Sequence, residues 1–331
     1  MPLIAHCDLP AFAALKQEGA EVVATRSQSR FPLRIGLLNL TPDTIVQATE
    51  RQFMRLMAGY ADADVYVYPF AVATEHRSEV AQAHIAQHYE SFETLQRRGL
   101  DALIVTGANP QTDELTLEAF WQPMVEAIAW ARQNGCSILC SCLAVHAVML
   151  EYFDTQRILL SEKRWGVYTH RLIDSEHPLL QAVEHEVTAP HSHRYDTSRE
   201  QIEQAGGQVL IHSDEAGVYL AVSDEQASFL FFQGHPEYDV NSLLKEYKRE
   251  VSRCFDGERP DYPPCPENYF PIQSLRTLEH YKRQLLDAKR LGQAQPEFPE
   301  SELTQSLRNC WGASGERLFH NWLRMIQQSK S

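Results

Sequence analysis

Two short segments carry side chains whose types and spacing suit covalent acyl chemistry. Cys142 stands in ILCSCLAVHA, where an apolar run gives way to a helical pattern. A cysteine at such a strand-to-helix turn holds its sulfur above the sheet, and the helix N-terminus favours the thiolate. The backbone N–H of the next residue, Leu143, is then placed to hold an oxyanion. Position sets this residue apart from Cys136 and Cys140, which read as small buried hydrophobes. The second segment is GHPEY at 234–238, which closes the apolar run ASFLFFQ. Residues two apart in extended chain share a side, so Glu237 can turn toward the His235 ring and fix its tautomer. Taken singly, these are a core thiol and a polar surface turn; taken together, Cys142, His235 and Glu237 suit a nucleophile, a base and an orienting carboxylate.

A metal is not expected. His191 and His193 in APHSHRY have no carboxylate or thiolate at ligand spacing, and the Cys140–Cys142 pair has no second Cys or His pair to complete a set.

The elements that must position these residues follow from periodicity. RIGLLNL (34–40) is an apolar run ending at Thr41-Pro42-Asp43, which reads as a buried strand. Phe53, Leu56, Met57 and Tyr60 then share one helical face. VYVYPF (65–70), LDALIVTG (100–107) and CSILCS (136–141) read as further strands, separated by a polar helical stretch through the nineties and a helix near 115–134. This alternation predicts an α/β fold with a mostly parallel sheet flanked by helices. Beyond 165 the pattern becomes strand-rich in GVYTHRL, QVLIHS, GVYLAVS and ASFLFFQG, and a helix follows at about 240–254. Residues 256–272, with five prolines, read as an extended connection. Helices over 275–291 and about 315–327 then flank a Pro-rich break at 295–299. The expected organisation is one α/β domain over 1–272 and a helical extension over 273–331.

Composition limits the partners. Of 331 residues 44% are hydrophobic and 22% charged, which excludes a disordered or disulfide-built chain. Thirty Lys and Arg against 44 Asp and Glu give a net charge of −14, which argues against nucleic acid or an anionic membrane as the partner and leaves small molecules. The first nineteen residues are interrupted by Asp8, Pro10, Lys16 and Glu18, unlike a secretory signal, and the seven cysteines are odd in number and scattered. Free thiols in a reducing compartment, and hence a cytoplasmic protein, are expected.

Around the candidate triad the chain resembles the homoserine O-acyltransferases of the methionine-pathway type, the O-succinyltransferase and O-acetyltransferase family. The resemblance is carried by Cys142 in its turn, GHPEYD (234–239), LIVTGA (103–108), EKRWGVY (162–168), APHSHRY (189–195) and ENYFP (267–271). It runs to about 272, misses roughly 274–305 and resumes at WGASGERLFHNWL (311–323). It implies a fold similar to the class I glutamine amidotransferases and ping-pong acyl transfer. In that scheme acyl-CoA is a co-substrate and no cofactor is needed; Cys142 carries the thioester, His235 is the base and Glu237 orients it. Substrate-binding positions of the family fall on Lys163, Ser192 and Arg249, and a guanidinium suits an amino acid's carboxylate.

Three features depart from the family pattern. A lysine common after the first strand is replaced by Asp43 and Thr44. The acyl-donor position falls on Gln111, where the family has glycine with succinyl and glutamate with acetyl donors. Gln111 has glutamate's bulk, yet as a neutral amide it can donate to a succinyl carboxylate, so both donors stay open. In the unmatched segment Leu275, Leu278, Tyr281 and Leu285 have helical spacing, which predicts packing on the domain or on a second subunit in a homodimer. L-Homoserine is the expected acceptor, with L-serine as the alternative. Glutamine amide hydrolysis is disfavoured because Ser141-Cys142-Leu143 lacks the glycines of a G-x-C-x-G elbow.

Overall fold

The computed structural model describes residues 2–24, 32–72 and 77–330. Among the described residues eleven strands form one sheet: β1 (Leu3–Ile4), β2 (Val22–Val23), β3 (Leu33–Leu38), β4 (Val65–Phe70), β5 (Ala102–Val105), β6 (Ser137–Ser141), β7 (Ile158–Leu172), β8 (Glu186–Asp196), β9 (Gln208–Ser213), β10 (Gly217–Val222) and β11 (Phe229–Phe232). Their order is β2-β1-β4-β3-β5-β6-β11-β10-β9-β7-β8. The junctions from β2 to β11 are parallel, and those from β11 to β8 are antiparallel. The expected α/β class is what the chain forms.

The parallel half is buried on both faces, which is why its strands read as unbroken apolar runs. Helices α1 (Pro10–Gln17), α2 (Val46–Met57), α3 (Glu79–His88), α4 (Phe92–Arg98), α5 (Trp121–Gln133), α6 (Leu143–Phe153), α7 (Arg199–Gln204) and α8 (Ser242–Asp256) accompany the sheet. Two apolar clusters flank it, one containing Leu37, Phe53, Ile104 and Phe232 and the other Leu38, Val105, Ile128 and Phe231. The helix face read from Phe53, Leu56, Met57 and Tyr60 is buried.

The C-terminal part comprises α9 (Ile272–Leu291), α10 (Glu300–Ser306) and α11 (Gly312–Gln328). Leu278, Tyr281 and Leu285 of α9 are buried in a third cluster with Trp165, Tyr247, Phe270 and Trp311, so these three are covered by the chain itself, whereas Leu275, expected to pack with them, is exposed one turn before Leu278. Leu318, Phe319 and Trp322 of α11 join the cluster that holds Phe53 of α2. The seven cysteines are free thiols. Among the described residues no helix is long and apolar enough to cross a membrane.

Candidate active site

The site lies at the C-terminal ends of the parallel strands, where helix N-termini and turns meet. β6 ends at Ser141 and α6 starts at Leu143, so Cys142 makes the whole turn, with φ 51° and ψ −107°. Such a backbone costs a non-glycine residue about 1–3 kcal/mol and persists only where the surroundings fix it. Here the Cys142 N–H donates to the Phe232 carbonyl on β11 at 2.7 Å, and the Cys142 carbonyl accepts from Val145 N–H at 3.0 Å. Gly107, just past β5, faces this turn: a Cβ there would stand 3.5 Å from Cys142 Cβ and 4.0 Å from the Leu143 nitrogen. The Leu143 amide therefore borders the space beside Cys142.

β11 leads directly to the second half of the site. His235 N–H donates to the Pro190 carbonyl at 2.8 Å, and His235 Nδ1 lies 2.8 Å from Glu237 Oε1, both side chains being buried. Its Nε2 makes no hydrogen bond of ordinary geometry, although the Cys142 side chain is near enough to act on the ring. Burial disfavours the imidazolium, but the Glu237 carboxylate and the Cys142 sulfur outweigh it and hold His235 at about 10. The Tyr238 ring stacks on the imidazole, with centroids 4.2 Å apart and planes 13° apart. The structure thus brings Cys142, His235 and Glu237 together.

Lys163, Ser192 and Arg249 also meet, through a residue that the sequence reading passed over. Glu246 on α8 forms an ion pair with Lys163. It accepts a hydrogen bond from Ser192 Oγ, which is 2.9 Å from each carboxylate oxygen, and it lies 3.8 Å from Arg249 Nη2. Its side chain is 13% exposed, whereas the Arg249 side chain is 57% exposed and also lies 3.5 Å from Glu250. The three-residue step from Glu246 to Arg249 on a predicted helix was the available signal.

Other supports were not legible. Asp239 forms an ion pair with Arg51 and lies 2.5 Å from Arg55 Nη1, while Arg55 Nη2 donates to the Glu237 carbonyl at 3.0 Å. The Trp311 indole N–H donates to the Tyr238 carbonyl at 3.0 Å. Arg55 of α2 and Trp311, just before α11, thus both hold the 235–239 turn.

Gln111 is exposed in the loop after β5; its Nε2 donates to the Asn109 carbonyl at 3.2 Å and its backbone N–H to Glu118 at 2.7 Å. Asp43 stands where a lysine was expected, yet a cation does reach this turn. Arg77, from a different segment, bonds to Asp43 Oδ1 at 3.1 Å and to the carbonyls of Thr41 and Asn39 at 3.2 and 3.3 Å. The Ser78 backbone N–H on Asp43 holds that carboxyl below its usual range, with Arg77 adding to the effect. Leu40 N–H donates to Thr106 Oγ1 at 2.8 Å, so the Arg77-bearing turn leans on the segment that faces Cys142. Among the described residues no group of His, Cys, Asp and Glu side chains is arranged to hold a metal.

Fold and site together define an α/β protein built around a cysteine turn and a buried histidine–glutamate pair. Two solved structures similar to it are glutamine amidotransferases, from Thermotoga maritima (TM-score 0.49, 11% identity, 90% of this chain and 100% of that one) and from Methylobacillus flagellatus (0.49, 12%, 90% and 95%). Sequence comparison is more specific. The homoserine O-succinyltransferase family model matches residues 2–331, and the chain belongs to that family. It is 46% identical over 332 residues to the homoserine O-succinyltransferases of Methylococcus capsulatus (99% of this chain, 94% of that one) and Allochromatium vinosum (99% and 93%). These matches run through residues 274–305, which the motif-level resemblance left unmatched; that stretch is part of the family's common chain.

Proposed function

We propose that the protein transfers a succinyl group from succinyl-CoA to the hydroxyl of L-homoserine, a step of methionine biosynthesis. The observation that carries this reading is the 46% identity to homoserine O-succinyltransferases over 99% of the chain, joined to a site with the parts such a transfer requires.

The Cys142 thiolate attacks the thioester carbonyl, and the Leu143 N–H stabilises the oxyanion. Collapse forms succinyl-Cys142 and breaks the bond to CoA, whose sulfur leaves as the thiol with a proton from His235. The homoserine hydroxyl then attacks the new thioester while His235, now neutral, takes its proton. Loss of the Cys142 thiolate releases O-succinylhomoserine. CoA departs before homoserine reacts, so the kinetics are ping-pong.

The acceptor is an α-amino acid, with a carboxylate and an ammonium to be held at once. Arg249, with Lys163 beside it, suits the carboxylate, and Glu246 suits the ammonium, with Ser192 fixing its carboxylate plane. Gln111 as a neutral amide is compatible with a succinyl carboxylate.

Product analysis tests the assignment. The enzyme is given succinyl-CoA or acetyl-CoA with homoserine or serine, and kcat/KM is measured for each pair. The highest value is expected for succinyl-CoA with homoserine; a preference for acetyl-CoA or for serine would overturn the corresponding half.

A further inference from the structure

Behind the catalytic turn three buried histidines form an unbroken chain. His170 lies on β7, and His191 and His193 on β8. His170 Nδ1 lies 3.0 Å from the Tyr168 carbonyl oxygen, and its Nε2 is 3.1 Å from His191 Nε2. His191 Nδ1 is 3.0 Å from His193 Nε2, and His193 Nδ1 is 2.7 Å from the Tyr195 carbonyl oxygen. All six ring nitrogens are therefore engaged in four contacts: two to carbonyl oxygens and two between nitrogens.

Each contact needs one proton. A carbonyl oxygen can only accept, and two nitrogens at this separation repel unless one of them donates. Four contacts require four protons, whereas three neutral imidazoles carry three. A chain with three protons would leave one contact, at 2.7–3.1 Å, setting two lone pairs against each other in a dry interior.

We infer that the His170–His191–His193 chain holds one proton more than three neutral rings, and that this buried positive charge is an electrostatic positioning element for His235. The chain abuts the catalytic turn: a Cβ on Gly234 would lie 2.8 Å from His191 Nε2, and Pro190, next to His191, receives the His235 N–H.

The surroundings oppose positive charge, and it is the count of contacts that requires one proton. Burial, foremost, holds His170, His191 and His193 below the ordinary histidine range, so the chain carries no proton beyond those that its four contacts require. The other groups facing the chain are Arg164 and Asp196 at the β7–β8 end, His212 on β9, Tyr219 on β10, His146 on α6 and the His235–Glu237 pair. Asp196 is taken up by Arg164 at 2.5 Å. His235 is itself among the charges that act on His191 and His193, so a charge on the chain acts on His235 in turn. His235 thus faces a second cation. This opposes the pull of Glu237 and lets His235 give up its proton in time to act as a base.

The count is measured on the whole wild-type protein by ¹⁵N-histidine NMR at pH 7.5. Two doubly protonated rings are expected besides titrating surface histidines and His84, which is paired with Glu50. One should vanish in His235→Asn and the other in His193→Asn. A single such ring in wild type, lost in His235→Asn, would overturn the inference, and this spectrum decides the count even if His193→Asn fails to fold.

The catalytic consequence rests on the acyl-transfer reading, whereas the proton count does not, so failure of one is distinguishable from failure of the other. His193→Arg, a permanent cation with donors for both neighbours, should keep the wild-type pH dependence of kcat. His193→Asn should move the pH at which His235 becomes an effective base upward by about one unit. Identical profiles for the two variants would overturn the positioning role.

Discussion

His235 Nδ1 lies 2.8 Å from Glu237 Oε1, and both side chains are buried, so the ring is fixed in one tautomer with Nε2 left for the reaction. The pair also couples stability to pH. His235 is held at about 10, above its ordinary 6.5, so its stabilising contribution is complete below about pH 6.5 and is lost as pH rises through 10. Urea unfolding of wild type should show a fall in stability across that window that is absent in His235→Asn. A parallel fall in both proteins would contradict the assignment.

Glu246 gathers Lys163, Ser192 and Arg249, and as the proposed ammonium partner it should act on acceptor binding. Glu246→Gln is expected to raise the homoserine KM about 10- to 100-fold while leaving the first half-reaction, release of CoA from succinyl-CoA, within about twofold. Steady-state and single-turnover kinetics separate the two.

Gln111→Glu changes charge at nearly constant volume. Repulsion of the succinyl carboxylate should lower kcat/KM for succinyl-CoA about tenfold and leave acetyl-CoA nearly unaffected. If both donors are unaffected, the exposed position of Gln111 persists in the complex and the residue plays no part in donor choice.

Gly234 has no room for a side chain: a Cβ would lie 2.8 Å from His191 Nε2 and 3.1 Å from the Pro190 carbonyl oxygen. Gly234→Ala should destabilise the fold by about 1–3 kcal/mol and, by moving His235, lower kcat about 100-fold. Denaturant titration and turnover on the folded fraction test the two effects separately.

The legible parts of the molecule were those fixed locally. β3, β4, β5 and β6 are buried on both faces and so stand out as apolar runs, and Cys142 and His235 follow directly from the ends of such runs. β8 was not read as a strand because Pro190 and the histidines break its pattern. It is the last strand of the sheet, where a missing donor is tolerated. Arg77, which brings a cation to the Asp43 turn, and Trp311, which holds the Tyr238 carbonyl, come from distant segments that only the folded chain brings near. Glu246 lay within reach of helical spacing but was hidden among the many charges of α8.

The central claim is a covalent succinyl intermediate on Cys142. Intact-protein mass spectrometry of wild type and Cys142→Ala, each incubated with succinyl-CoA and then chased with homoserine, tests it most directly. The account predicts one succinyl adduct on wild type, discharged by homoserine, and none on Cys142→Ala, which should remain folded. Turnover by Cys142→Ala, or an adduct that homoserine does not discharge, would contradict it.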